Sequence, residues 1–146
     1  MVVAGNPYTI QRLTDLCKKA LRLVDRQQTA GSYLLLSRLL EAVGLSRNEL
    51  RLIGTTARSE TDVVTTILDR KADAGLTIAA GVRRFRLDFV SLHRERYDLA
   101  IARRDSFEPS FQRPLAITRT PRFVEHAKKL GGYDASGLGR VIYNAP

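Results

Sequence analysis

The sequence predicts an α/β fold built around a central, mostly parallel sheet flanked by helices. Two observations carry that expectation. Short apolar runs, "MVVAG", "RLV", "LRLIG" and "ADAGLTI", alternate with segments whose apolar residues recur at helical spacing. Glycines and short polar stretches punctuate each change of period, as connections between strands and helices do. Apolar residues make up 44% of the 146 residues and charged residues 27%, enough length and enough apolar surface to bury a core.

The elements follow in order. "MVVAG" reads as a strand closed by Gly5-Asn6-Pro7, and a helix is expected from Ile10 to Leu21, with Ile10, Leu13, Cys17 and Leu21 on one face. Leu23-Val24 is the next strand. A polar turn over Asp25 to Gly31 leads into a helix from Ser32 to Val43, whose buried stripe is Leu35, Leu36, Leu39, Leu40 and Val43. Gly44 is placed to end it, and Ser46 to Glu49 has capping-box spacing. "LRLIG" is a strand, "TTARSE" a loop, and Ser59 the N-cap of a helix carrying Val63, Val64, Ile67 and Leu68 inward. "ADAGLTI" returns as a strand in which Gly75 permits close backbone approach. A short helix over Ala79–Arg83 and the strands "LDFVSL" and "RYDLAIA" come next. A tail from Phe107 holds two helical segments, the second opened by Thr120-Pro121 and closed by Gly131-Gly132. Phe123, Ala127 and Leu130 face inward on that helix.

Composition excludes several classes. No apolar run reaches bilayer-spanning length, and the first residues lack the charged and hydrophobic regions of a signal peptide. The expectation is a cytoplasmic protein, or a periplasmic one if the sequence has been cut from something longer. Cys17 is the single cysteine, which rules out an internal disulfide and reads as a small buried hydrophobe. The net charge of +9 comes from 24 Lys and Arg against 15 Asp and Glu. These are interspersed, with no basic helix and no aromatic stacking set, so the charge reads as a solvated surface and not a nucleic-acid site.

Enzyme constellations are absent. His93 and His126 lie in no metal-ligand or nucleophile motif, "ADAGL" is not a dinucleotide loop, and no phosphate-binding Gly-Lys-Ser/Thr run occurs. No catalytic residue, metal ligand or cofactor is expected. The pair Glu95 and Asp98 reads as strand-end charge. In open α/β sheets ligands sit in strand-to-helix turns, and two turns qualify, Asp25–Ser32 and Thr55–Thr61. From spacing alone Ser32 and Ser59 read first as helix caps.

The blocks "GNPYTIQRLTDL", "RLVDRQQTAGSYLLLSRLLEAVGL", "RKADAGLTIAAGVRRFRLDFVSLHRERYDLAI" and "FVEHAKKLGGYDASGLGRVI", taken in order, resemble a periplasmic-binding-protein-like (type 2) domain. That family is commonly described as molybdate-binding-like and is often fused to a helix-turn-helix in bacterial regulators. The resemblance runs along nearly the whole chain and implies a two-lobed clamp that holds a small solute. It further implies that the chain corresponds to the C-terminal portion of such a domain. Residues 8–94 would form the second lobe, residues 2–5 and 97–102 two hinge strands, and residues 107–146 a helical tail.

On this resemblance the expected solute is a tetrahedral oxyanion such as molybdate or tungstate, with sulfate and phosphate as alternatives. Arg26, Gln27, Gly31, Ser32 and Ser59 are the candidate contacts. Backbone N–H groups of Gly31 and Ser32 would supply most of the binding and Arg26 the charge; the other reading of Arg26 is a surface arginine paired with Asp25 or another acid. Two departures weaken the chemistry. Where the family has a turn resembling Gly-Ser-Gly-Thr-Arg, this chain has Thr29-Ala30-Gly31-Ser32-Tyr33. A family Ser/Thr-His pair becomes Ser59-Glu60, whose carboxylate suits the helix dipole but repels a bound oxyanion. Two alternatives stand beside transport or sensing of a solute. One is an effector domain of a transcriptional regulator acting through protein contacts, with a DNA-binding part encoded upstream. The other is a remnant that no longer binds and only dimerises. Self-association is expected in either case, because Phe107, Phe111, Phe123 and Leu130 would otherwise lack the first lobe to pack on.

Overall fold

The computed structural model describes residues 2–5, 10–18 and 21–144. The chain forms two compact units, Met1–Glu95 and Arg96–Pro146.

The first unit is a five-stranded sheet covered by helices. Its elements are β1 (Val2–Gly5), α1 (Asp15–Lys18), β2 (Arg22–Arg26), α2 (Gly31–Ala42), β3 (Arg51–Ala57), α3 (Glu60–Leu68), β4 (Ala74–Thr77), α4 (Ala79–Arg84) and β5 (Phe89–Ser91). The strand order is β3-β2-β4-β1-β5. β3, β2 and β4 run parallel, β1 is antiparallel to β4, and β5 is antiparallel to β1. The chain steps outward from β2 to β3 through α2, then crosses back over β2 to β4 through α3. The parallel core expected from the alternation of elements is therefore present.

Period-two alternation puts the two halves of the core on opposite sheet faces. Leu23 and the β4 residues Ala74 and Leu76 join Ile10, Leu13, Leu16, Leu36, Leu40 and Leu50 on one face. Val24 joins Ala57, Val63, Ile67, Ala72 and Val82 on the other. All four residues of β4 are buried, as a strand covered on both faces requires.

Local chemistry sets the element ends. Gly44 takes φ +73 after α2, and the amide of Leu45 returns to the carbonyl of Leu40 at 2.9 Å. The amide of Ser46 donates to Glu49 Oε2 at 2.7 Å, the expected box opening a single 3-10 turn over Arg47–Glu49. At the start of β2, Arg22 grips Asp73 with Nε at 3.0 Å and Nη2 at 2.7 Å, tying the entry of β2 to that of β4. These bonds hold the Asp73 carboxyl below the usual carboxylate range. Cys17 is half-buried against the core, and that burial pushes its thiol up.

Several expectations are corrected. Among the described residues the first helix covers Asp15–Lys18 and starts late: Asp15 Oδ2 accepts the amides of Gln11 at 2.8 Å and Arg12 at 3.0 Å and holds the preceding residues in a turn. Leu21, its expected end, carries no helix, while residues 19–20, like Asn6 and Pro7, lie outside the described residues. Thr55 and Thr56 belong to β3 and not to a loop, since Thr56 pairs with Asp25 of β2. Val43 and Leu68 are exposed rather than buried, Val43 as the C-cap of α2 and Leu68 as the last residue of α3. Residues 97–102 carry no strand: no segment among the described residues pairs with them, and an unpaired run has nothing to satisfy its ladder.

The second unit holds a 3-10 turn over Asp105–Phe107, then α5 (Pro109–Thr118) and α6 (Pro121–Leu130). Thr120 caps α6 by accepting the amide of Phe123 at 3.3 Å, and Gly131 and Gly132 end it at φ +71 and +83. Phe123 and Ala127 are half-buried, but Leu130, expected to face inward with them, is exposed at the last residue of the helix.

Candidate functional site

The parallel pair β2–β3 carries a register shift between Leu23, which pairs with Leu52, and Asp25, which pairs with Thr56. Such an irregularity bends a strand and re-aims its side chains. Leu52 and Thr56, on either side of it, both line an open cleft of about 380 Å³. Asp25, Arg26, Gln27 and Gln28 line it from the carboxyl end of β2 and the following turn. Tyr33 of α2 and Arg47 and Asn48 of the 3-10 turn complete the wall. The strand-to-helix turn expected to bind solute thus borders a real concavity.

The structure distributes the five candidate residues unevenly. Arg26 and Gln27 line the cleft; Gly31, Ser32 and Ser59 are not among its lining residues. Gly31 is the first residue of α2, with open space where a side chain would stand. Ala30, not Ser32, is the N-cap and offers no side-chain bond, so the first amides of α2 receive no cap from it. Ser32 is only 7% exposed, and its hydroxyl is one of two buried side-chain polar atoms without a partner among the described residues. The other is Nε of Arg26. Buried polar atoms are paired in most structures, so two orphans within six residues of one turn mark it.

Ser59 is a helix cap. Its hydroxyl accepts the amide of Asp62 at 3.1 Å, while Asp62 Oδ2 accepts the amides of Ser59 and Arg58, each at 3.0 Å. The hydrogen bonds with the Ser59 side chain, and then those two amides, hold the Asp62 carboxyl below its ordinary range. Replacing Ser59 with Ala should cost about 1 kcal/mol of stability, read as a lower urea midpoint at unchanged slope. An unchanged midpoint would show that the cap carries no stability.

The charges of the cleft come in pairs. Arg26 Nη1 meets Glu60 Oε1 at 2.5 Å, and Arg26 Nη2 donates to the carbonyl of Arg58 at 3.3 Å. The alternative reading of Arg26, an arginine paired with an acid, is what the structure shows, with Glu60 as the acid. Glu60 Oε2 in turn accepts from Thr77 Oγ1 at 2.5 Å. Arg47 pairs with Asp25, donates from Nη1 to the Tyr33 carbonyl at 3.3 Å and to Ser37 Oγ at 3.2 Å, and lies 3.8 Å above the Tyr33 ring. Burial pushes the Arg47 guanidinium down from its ordinary value.

Sequence reasoning did not find Arg47, Asn48 or Thr77, nor the role of Tyr33. Arg47 sits inside a capping box, which accounts for its neighbours without any reference to a site. Tyr33 had one signal: it stands where the resembling family places an arginine, and here a neighbouring arginine stacks on it.

The family model described as the PBP superfamily domain matches residues 1–119. The uncharacterized protein YvgK of Bacillus subtilis (strain 168) is 24% identical over 141 residues, which is 97% of this chain and 45% of that protein. An uncharacterized protein in the ferredoxin 2Fe-2S gene 5' region of Clostridium pasteurianum is 36% identical over 56 residues, 38% of this chain and 50% of that protein. The chain thus spans about half the length of the curated relatives it matches. Among solved structures, the periplasmic aliphatic sulphonate binding protein SsuA from Escherichia coli superposes with a TM-score of 0.41 at 20% identity, covering 51% of this chain and 23% of that one.

Proposed function

From the premise that the chain belongs to the PBP superfamily, we propose that its solute is a small oxyanion held at the turn between β2 and α2. Domains of this superfamily bind solutes and are not enzymes. The finer reading rests on the turn itself. α2 begins without a side-chain cap, and the buried Ser32 hydroxyl of its first turn has no partner among the described residues. Unsatisfied donors at the positive end of a helix suit a small anion with several acceptor oxygens. Arg26 adds a guanidinium at the cleft wall, and Gln27 an amide. Ser59 is the weakest of the five candidates, because its hydroxyl already serves α3.

Thermal melts with molybdate, tungstate, sulfate and phosphate at low salt test the proposal. A ligand at about one hundred times its Kd should raise stability by about 2.7 kcal/mol. The absence of a shift with all four anions at millimolar concentration would overturn it.

A further inference from the structure

We infer that Glu60 is a built-in counter-anion for Arg26 and the residue that sets which solute charge the turn accepts. The inference rests on the oxyanion reading of the turn and adds a selectivity to it.

Arg26 is the last residue of β2, and Thr77 is the last of β4, the neighbouring parallel strand. Glu60 is the first residue of α3. Its carboxylate therefore joins the carboxyl ends of two adjacent strands, with Oε1 on Arg26 Nη1 and Oε2 on Thr77 Oγ1, both at 2.5 Å. Thr77 is fully buried, so its hydroxyl has Glu60 as its means of satisfaction and holds the carboxylate in place. The Arg26 side chain is only 11% exposed, which limits the water that could screen the pair.

The pairing uses Arg26 incompletely. A carboxylate can engage two guanidinium donors side by side, yet here one oxygen meets one nitrogen while the other turns to Thr77. Nε stays buried and has no partner among the described residues. Arg26 thus retains one unused donor while its charge is already balanced. The second cation of the cleft, Arg47, is balanced in the same manner by Asp25. An incoming anion meets donors without net positive charge. Coulomb energy scales with the product of the charges, so a dianion suffers twice the penalty of a monoanion of the same shape from Glu60.

Tungstate and perrhenate provide the comparison, being tetrahedral oxyanions of similar size carrying two charges and one. Isothermal titration of the wild-type chain, Glu60→Gln and the double variant Arg26→Ala/Glu60→Gln reads the effect. Glu60→Gln should tighten tungstate by about tenfold and perrhenate by about threefold, the square root expected for half the charge. The double variant should lose both gains. Thr77→Val keeps the charge and the buried volume but removes the tether. It should favour tungstate by a smaller factor in the same order, and it decides the matter if Glu60→Gln fails to fold. Equal tightening of both anions, or none, overturns the inference and leaves the oxyanion reading intact. Absence of binding by every variant overturns both.

Discussion

Leu40→Ala should remove about 2–5 kcal/mol of folding stability. Leu40 lies in the third turn of α2, is 0% exposed, and packs in the cluster between that helix and the sheet. Removing its isobutyl tip takes away both transfer free energy and dispersion contacts, because a close-packed interior relaxes only in part around a new void. The same helix carries its own control. Leu34 is 56% exposed, so Leu34→Ala should move stability by only a few tenths of a kcal/mol. Urea unfolding followed by circular dichroism separates the two: the midpoint should fall sharply for Leu40→Ala and barely for Leu34→Ala, with slopes unchanged. Equal midpoints would show that α2 is not packed on the sheet through Leu40.

Gly75→Ala should destabilise by about 1–3 kcal/mol, although alanine adds only one methyl group. A Cβ at residue 75 would stand 2.6 Å from Cγ1 of Val63 and 2.7 Å from Cγ1 of Val24, with the Val24 carbonyl at 3.3 Å. Both valines are buried and stiff at χ1, so neither can swing aside at small cost. Helix α3 approaches the sheet this closely because β4 has no side chain there. Val63→Ala in the Gly75→Ala background should recover part of the loss, since it vacates the space the new methyl enters. Gly31→Ala is the contrast. A side chain at Gly31 meets nothing within 4 Å, so the change should be neutral or slightly stabilising through the unfolded chain. If Gly75→Ala melts with the wild type, the close approach of α3 is wrong.

How far these features could be read from sequence depends on whether the cause is local. The close approach at Gly75, the N-caps Ser59 and Thr120, and the stop at Gly44 rest on one or two neighbouring residues, and each appeared as expected. So did the order of elements from β2 to β4, which follows from the change of hydrophobic period alone. The strand expected over 97–102 had the right composition, but pairing needs a neighbour, and composition does not supply one. The start of α1 turned on a single carboxylate taking two backbone amides, an outcome that helical periodicity does not register. At the site, the turn and two of its cleft residues, Arg26 and Gln27, were legible. The charge pairs were not. Arg26 and Glu60 are 34 positions apart and Asp25 and Arg47 are 22 apart, and each pair meets only after different strands and helices have been placed. In the sequence Glu60 reads as a charge repelling the solute; its engagement with Arg26 and Thr77 depends on the crossover that brings α3 back over β2.

The position of β1 bears on how the sheet comes together in time. Its neighbours are β4 at residues 74–77 and β5 at residues 89–91, so the two ladders it makes close the longest loops in the sheet. The pairs β2–β3 and β2–β4 span shorter stretches and can zip as soon as their connecting helices dock. A ribosome makes β1 before either of its partners and must release the chain from β2 through β4 before the strand has a place to go. Until β1 arrives, β4 presents one unpaired edge and β5 has no neighbour in the sheet, the kind of open ladder on which partly folded chains associate. Four residues of strand thereby complete the sheet and, on arrival, shut its most sticky nascent edge.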